Sequence, residues 1–204
     1  MQTFADRTSQ QTRVLTNSRW FDISAVVGGS LLMAVCAHVS IPLWFTPVPI
    51  TLQTFGVMLL ALTLGGTRSA AAMVLYLIEG ASGLPVFSPH GFGGAAQLIG
   101  PTGGFLFSYP FAAFLGGLVA HKLLQRSRVV AFATAALATE FIIFLLGATW
   151  LGILTHQPVR AVLIAAVLPF LPGELLKGVG AVALALGKTC EFPKPDRNFP
   201  TQTT

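Results

Sequence analysis

The stretch 161-AVLIAAVLPFLPGELLKGVGAVALAL-186 decides how the rest of the chain reads. It is long enough to cross a bilayer, whose hydrocarbon core needs about 20 apolar residues of helix. Yet Pro169 and Pro172 interrupt it, and it carries Glu174 and Lys177. Proline removes a backbone donor and clashes with the preceding turn, so the helix is expected to break here. A second helical segment can begin at Pro172, where the missing N–H costs little. Glu174 then falls in the first turn of that segment, and Lys177, three residues on, shares its face. Charges at membrane depth need partners inside the protein, and broken helices commonly place binding groups there. The segment reads as a polar ligand site able to hold an anionic group. An internal Glu–Lys pair that only neutralises itself is the competing reading, and it leaves the break unexplained.

Working outward, five further apolar runs appear, at 23–41, 50–64, 69–78, 105–124 and 129–154. The second and third are short, and their flanks must contribute to any full span. The expectation is an all-α membrane protein of six transmembrane helices. Composition agrees. Of 204 residues 53% are hydrophobic and only 9% charged, and mean hydropathy is +0.74. Soluble domains carry about 25% charged residues, so a soluble enzyme, a nucleic-acid binder and a disordered tail are all disfavoured. With the N-terminus inside, Arg7, Arg13, Arg19, Arg68, Lys122, Arg126, Arg128, Lys188, Lys194 and Arg197 fall on the cytoplasmic side and only Arg160 outside. That bias follows the positive-inside rule and accounts for the net charge of +5 without nucleic acid. The predicted organisation is a cytoplasmic tail at 1–22, a membrane domain at 23–187 and a second cytoplasmic tail at 188–204. The first 22 residues lack the apolar stretch of a cleaved signal peptide.

Residues 80–104, GASGLPVFSPHGFGGAAQLIGPTGG, contain eight Gly and three Pro. Such a segment is a poor helix former. It has no Lys or Arg but carries Leu84, Val86, Phe87, Phe92 and Leu98. Irregular backbone near membrane depth survives only where protein or a cavity surrounds it. It is therefore expected to be a lid folded onto the outer mouth, joined by a second irregular segment, PLWFTPVP, at 42–49.

Other polar residues are less decisive. Gln53 can both donate and accept, which suits a urea-like ligand, and an interhelical hydrogen bond serves equally. Glu79 and Glu140 stand between structural pair and site. Ser30 and Ala34, four apart with Ala37 beyond, form a small-residue face suited to close helix approach, internally or with a partner. Gly187-Lys188-Thr189 resembles the end of a phosphate loop, but the required upstream Gly is Val182. Cys36, Cys190 and the His residues show no metal spacing, so no enzyme, cofactor or metal is expected.

The segments Ser40-Ile-Pro42, Pro47-Val-Pro-Ile-Thr-Leu-Gln53, Gly83-Leu-Pro-Val-Phe87, Gly100-Pro-Thr-Gly-Gly104 and Pro169-Phe-Leu-Pro-Gly-Glu-Leu-Leu-Lys177 together resemble the BioY family. These are the biotin-specific substrate-binding (S) components of energy-coupling factor (ECF) transporters. Glu174 stands where the family pattern has Asp, Phe105 where it has Tyr, and Ser30 where it has an Ala-rich motif. The resemblance implies a six-helix S-component fold in the bacterial plasma membrane with both termini cytoplasmic. It implies biotin as substrate and ligand contacts from Gln53, Phe87, Glu174 and Lys177. Lys177 would meet either the ureido oxygen or the carboxylate. Partners would be a transmembrane coupling protein and ATPase subunits, with ATP used by those subunits and not by this chain, and the Ser30–Ala34 face would be the docking surface. The alternative function is an autonomous proton-coupled transporter of a small carboxylated vitamin, working through Glu79 or Glu140.

Overall fold

Proline and glycine punctuate the chain, and every apolar run between them becomes helix. A computed structural model describes residues 4–125 and 127–187. The tail expected at 188–204 lies outside them, as do Arg126, Lys188, Lys194 and Arg197. Helix α1 (Phe4–His38) leads into a short antiparallel pair, β1 (Ser40–Ile41) and β2 (Ile50–Thr51), and then into α2 (Gln53–Leu64) and α3 (Gly66–Ala81). The short α4 (Gly94–Ile99) precedes α5 (Gly103–Leu123), α6 (Arg128–Thr155), α7 (Val159–Ala166) and α8 (Leu171–Gly187).

Three of the six predicted spans are long and apolar enough to cross a membrane on their own: Arg19–His38, α5 and α6. Helices α7 and α8 make a fourth as a pair bent by 53°. The bend falls at Val167–Phe170, ahead of Pro172, as the proline spacing predicts. Helices α2 and α3 have 12 and 16 residues, about 18 and 24 Å at 1.5 Å per residue. Each is shorter than a hydrocarbon core of about 30 Å. They are separated by Gly65 alone, whose φ of 79° lies in the left-handed region, where a side chain is strained. The outward faces of the helices are apolar, as on α6 (Leu137, Phe141, Leu145) and α8 (Leu175, Leu176, Val179). In a multi-pass membrane protein these faces meet lipid.

The interior is built from small residues that let helices approach. Helix α5 packs on α3 and α6, α1 on α3, and α2 on α8. Ala113 and Gly117 of α5, Ala135 of α6 and Ala181 and Ala185 of α8 sit in these contacts. Arg68 pairs with Asp22 at 2.7 Å, joining α3 to α1.

Helix α1 begins at Phe4, within the segment expected as a tail; no Gly or Pro occurs before Gly28 to stop it. Two expectations need correction. First, the lid is not wholly irregular: Gly94–Ile99 forms α4, where Ala95, Ala96, Gln97 and Leu98 follow the positive-φ Gly93 and Gly94 and Gln97 Oε1 accepts from the Gly93 N–H at 3.2 Å. A two-residue strand pair closes the 42–49 loop.

Second, Ser30 is not a docking surface. It is 0% exposed and its hydroxyl donates to Glu79 Oε2. The internal-packing reading therefore holds, and Glu79 has its partner. Ser30→Leu places a larger side chain into this filled contact and strands the Glu79 carboxylate. A loss of about 1–3 kcal/mol is expected from overpacking alone. The thermal midpoint of the purified protein should fall, and an unchanged midpoint would contradict the packing.

Candidate ligand-binding site

The site grows from two helix starts. Helix α8 closes its first turn with Glu174 N–H donating to Phe170 O at 2.9 Å, which fixes Glu174 one turn below the bend. Helix α2 begins at Gln53, straight after β2 and Pro49, so Thr51, Gln53 and Thr54 gather at its mouth. Lys177 spans the two. Its Nζ donates to Glu174 Oε1 at 2.5 Å, to Thr51 O at 2.6 Å and to Thr54 Oγ1 at 3.3 Å. Thr54 Oγ1 donates in turn to Glu174 Oε2 at 2.5 Å. An ammonium has three protons to give, and all three are used within the chain. The result is a neutral clasp between α2 and α8, with Glu174 only 7% exposed. Gln53 donates to Tyr76 Oη at 2.8 Å, tying α2 to α3.

A small cavity of about 50 Å³ lies beside the clasp. Gln53, Thr54 and Glu174 form one polar wall. Phe105, Tyr109, Phe144 and Phe170 supply aromatic walls, and Val48 and Pro49 come from the 42–49 loop. The lid and the start of α5 add Ser88, Gln97 and Thr102. The arrangement suits a small molecule with an apolar body and N–H groups at the Glu174 end. A carboxylate already facing a cavity accepts donors and repels anions.

Of the sequence-predicted site residues, Gln53 and Glu174 lie on this wall. Lys177 is bonded to Glu174 but is not part of the wall, and Phe87 stands outside the lining. Phe87 is packed edge-to-face on Tyr76, ring centroids 5.3 Å apart, and a Cβ on Gly80 would overlap its ring. That contact anchors the lid, and the next residue, Ser88, faces the cavity. The lid is pinned again where Trp150 Nε1 donates to Gly100 O at 3.0 Å. Of the 42–49 loop, Trp44 stands 96% exposed while Thr46 and Val48 are buried. His90 is exposed on the lid. Glu140 lies beside the cleft between α6 and α8 with Glu174, and its carboxyl oxygens make no hydrogen bond among the described residues.

Sequence reasoning missed Thr51, Thr54, Ser88, Gln97 and Thr102. The signal for the first two was present: hydroxyls flank Gln53 at the start of a helix. Thr102 stands within the quoted Gly100–Gly104 run, but nothing local marks Ser88 or Gln97, whose convergence depends on how the lid folds back.

The chain is similar to known proteins over most of its length. The BioY family pattern matches residues 9–193. A biotin transporter BioY from Thermotoga maritima is 41% identical over 155 residues, 76% of this chain and 88% of that protein. One from Rhodobacter capsulatus is 38% identical over 78% of this chain and 88% of that protein. A crystal structure of the S-component for biotin from an ECF-type ABC transporter superposes with a TM-score of 0.75 at 27% identity, covering 83% of this chain and 90% of that one. With the bent α7–α8 pair, the folded-back lid and these matches over most of its length, the chain belongs to the BioY family.

Proposed function

We propose that this chain binds biotin in the cavity beneath the lid and delivers it inward as the S component of an ECF transporter. One observation carries the reading: a buried carboxylate, bonded to a Lys177 whose protons are all used, faces an aromatic-walled cavity beneath a pinned lid. Biotin has an apolar fused ring, a ureido group with two N–H donors, and a carboxylate on a flexible tail. Glu174 accepts a ureido N–H, Gln53 stands beside it, and the aromatic walls enclose the ring. Phe87 acts one step removed, by holding the lid closed. Lys177 acts through Glu174 and the threonines.

The relatives' names support biotin transport, and the S-component match supports a division of labour in which separate ATPase subunits and a transmembrane coupling protein supply the energy. The chain needs no cofactor of its own in this scheme and is a carrier, not an enzyme. Its place is the bacterial plasma membrane, with a membrane domain at 23–187 and cytoplasmic tails at 1–22 and 188–204.

Titration of the detergent-purified protein with biotin tests the binding step. Saturable binding at one site, with unmodified biotin recovered, is the expected result. Uptake into proteoliposomes is expected only when coupling protein, ATPase subunits and ATP are all present, with no effect of uncouplers at constant ATP. Uptake by the chain alone, collapsed by uncouplers, would establish the proton-coupled alternative instead.

A further inference from the structure

The loop at 42–49, PLWFTPVP, has two faces. Its inward face is packed. Leu43 rests on the helix core, Thr46 and Val48 are buried, and Val48 and Pro49 line the cavity. The Val48 N–H donates to Thr46 Oγ1 at 3.3 Å, which stiffens this side. The outward face is a turn made by Trp44 and Phe45. Trp44 is 96% exposed and Phe45 45%, and their rings stand edge to face with centroids 5.5 Å apart. Water solvates such a surface poorly.

The position of the turn narrows what meets it. The span Arg19–His38 ends just before it, and the pairing of Ser40 with Thr51 and Ile41 with Ile50 folds the chain straight back into α2. The turn is therefore confined to the level at which α1 leaves the bilayer. No Asp, Glu, Lys or Arg occurs from residue 23 to residue 67, and His38 turns its Nδ1 to Ala34 O at 2.8 Å. The backbone also suits an apolar boundary. Unmatched N–H groups exclude irregular chain from hydrocarbon, and Pro42, Pro47 and Pro49 have none to match. The indole N–H of Trp44 still wants a polar partner, which the headgroup layer offers and the hydrocarbon core does not. A protein partner is disfavoured by size, because two side chains on a turn fall far short of the roughly 800 Å² per partner of a stable interface.

We propose that the Trp44–Phe45 turn is seated in the headgroup layer of the bilayer at the His38 end of α1, with its rings toward the acyl chains and the indole N–H toward the headgroups. The loop then runs from lipid to cavity within a few residues. The membrane holds its tip, and Val48 and Pro49 form part of the cavity wall. This contact does not depend on the identity of the ligand.

Tryptophan emission tests it on the full chain in phosphatidylcholine nanodiscs, which leave both faces open to the aqueous phase. The chain has three tryptophans. Trp20→Phe is compared with Trp20→Phe plus Trp44→Phe, so that Trp150 contributes equally to both and the difference is the emission of Trp44. Phenylalanine keeps an apolar ring on the turn, and equal thermal midpoints verify that both variants fold. The nanodiscs are then made with phosphatidylcholine brominated on its acyl chains, either near the headgroup or near the terminal methyl. The Trp44 emission is expected to lose most of its intensity with bromine near the headgroup, to lose less with bromine near the methyl end, and to keep most of it when iodide is added to the water. Quenching by iodide without quenching by bromine would put the turn in water. Protection from both would put it under a second copy of the chain or another protein. Stronger quenching by the deeper bromine would put it in the hydrocarbon core. Each of these three results overturns the proposal.

Discussion

Replacing Lys177 with Met is expected to destabilise the protein by about 3–5 kcal/mol, the cost of removing one partner of a buried ion pair. The methionine fills similar volume, so the effect is electrostatic. Glu174 would keep only the Thr54 hydroxyl, and Thr51 O would lose its donor. The thermal midpoint should fall sharply. Adding Glu174→Gln to Lys177→Met should recover most of the loss, because the stranded charge is gone and a neutral amide can still bond Thr54. Biotin affinity should behave differently. The single variant should lose it, and the double variant should not regain it, because a Gln no longer presents two acceptor oxygens to the ureido N–H groups. Recovery of binding together with stability would show that the clasp is structural only. A Lys177→Met protein as stable as the wild type would show that the two helix starts are not held by this residue.

That clasp marks where the sequence is informative and where it stops. The break in the last span is written locally, in Pro169 and Pro172. So is the sharing of a face by Glu174 and Lys177, because a spacing of three is a property of any helix. The lid was legible from its glycines and its unexpectedly apolar residues. The partners were not. Lys177 bonds a backbone carbonyl on β2, a group every residue possesses and no sequence distinguishes. The same limit explains Ser30. A small residue on α1 reads equally as an external face or an internal contact, and Glu79, 49 positions away, decides between them. It also explains Ser88, whose place on the cavity depends on Phe87 finding the space that Gly80 leaves. Spacing along one helix is visible in the chain; meeting points between helices are visible only once the helices are placed.

The run Gly100-Pro-Thr-Gly-Gly104 holds two glycines whose missing side chains let neighbouring elements approach. A Cβ on Gly103 would overlap the Leu98 carbonyl oxygen and lie 3.3 Å from Trp150 Nε1. A Cβ on Gly104 would overlap Trp150 Cβ and come 3.0 Å from Leu146 O. The first obstruction is the backbone of α4, which no rotamer change relieves. Gly103→Val is therefore expected to push α4 off the start of α5, breaking the Gln97-to-Thr102 hydrogen bond of 2.9 Å and misplacing two residues that line the cavity. Overpacking of this kind costs about 1–3 kcal/mol. Because the lid has fewer contacts than the bundle, most of that cost should appear as lid opening. Biotin affinity should drop by about ten- to a hundredfold, helix content should stay near wild type, and proteolytic cleavage within residues 82–93 should accelerate. Gly28→Ala is the control: nothing lies within 4 Å of that position, and neither readout should move. If Gly103→Val bound biotin as tightly as Gly28→Ala, the close approach of α4 and α5 would not be what shapes the cavity.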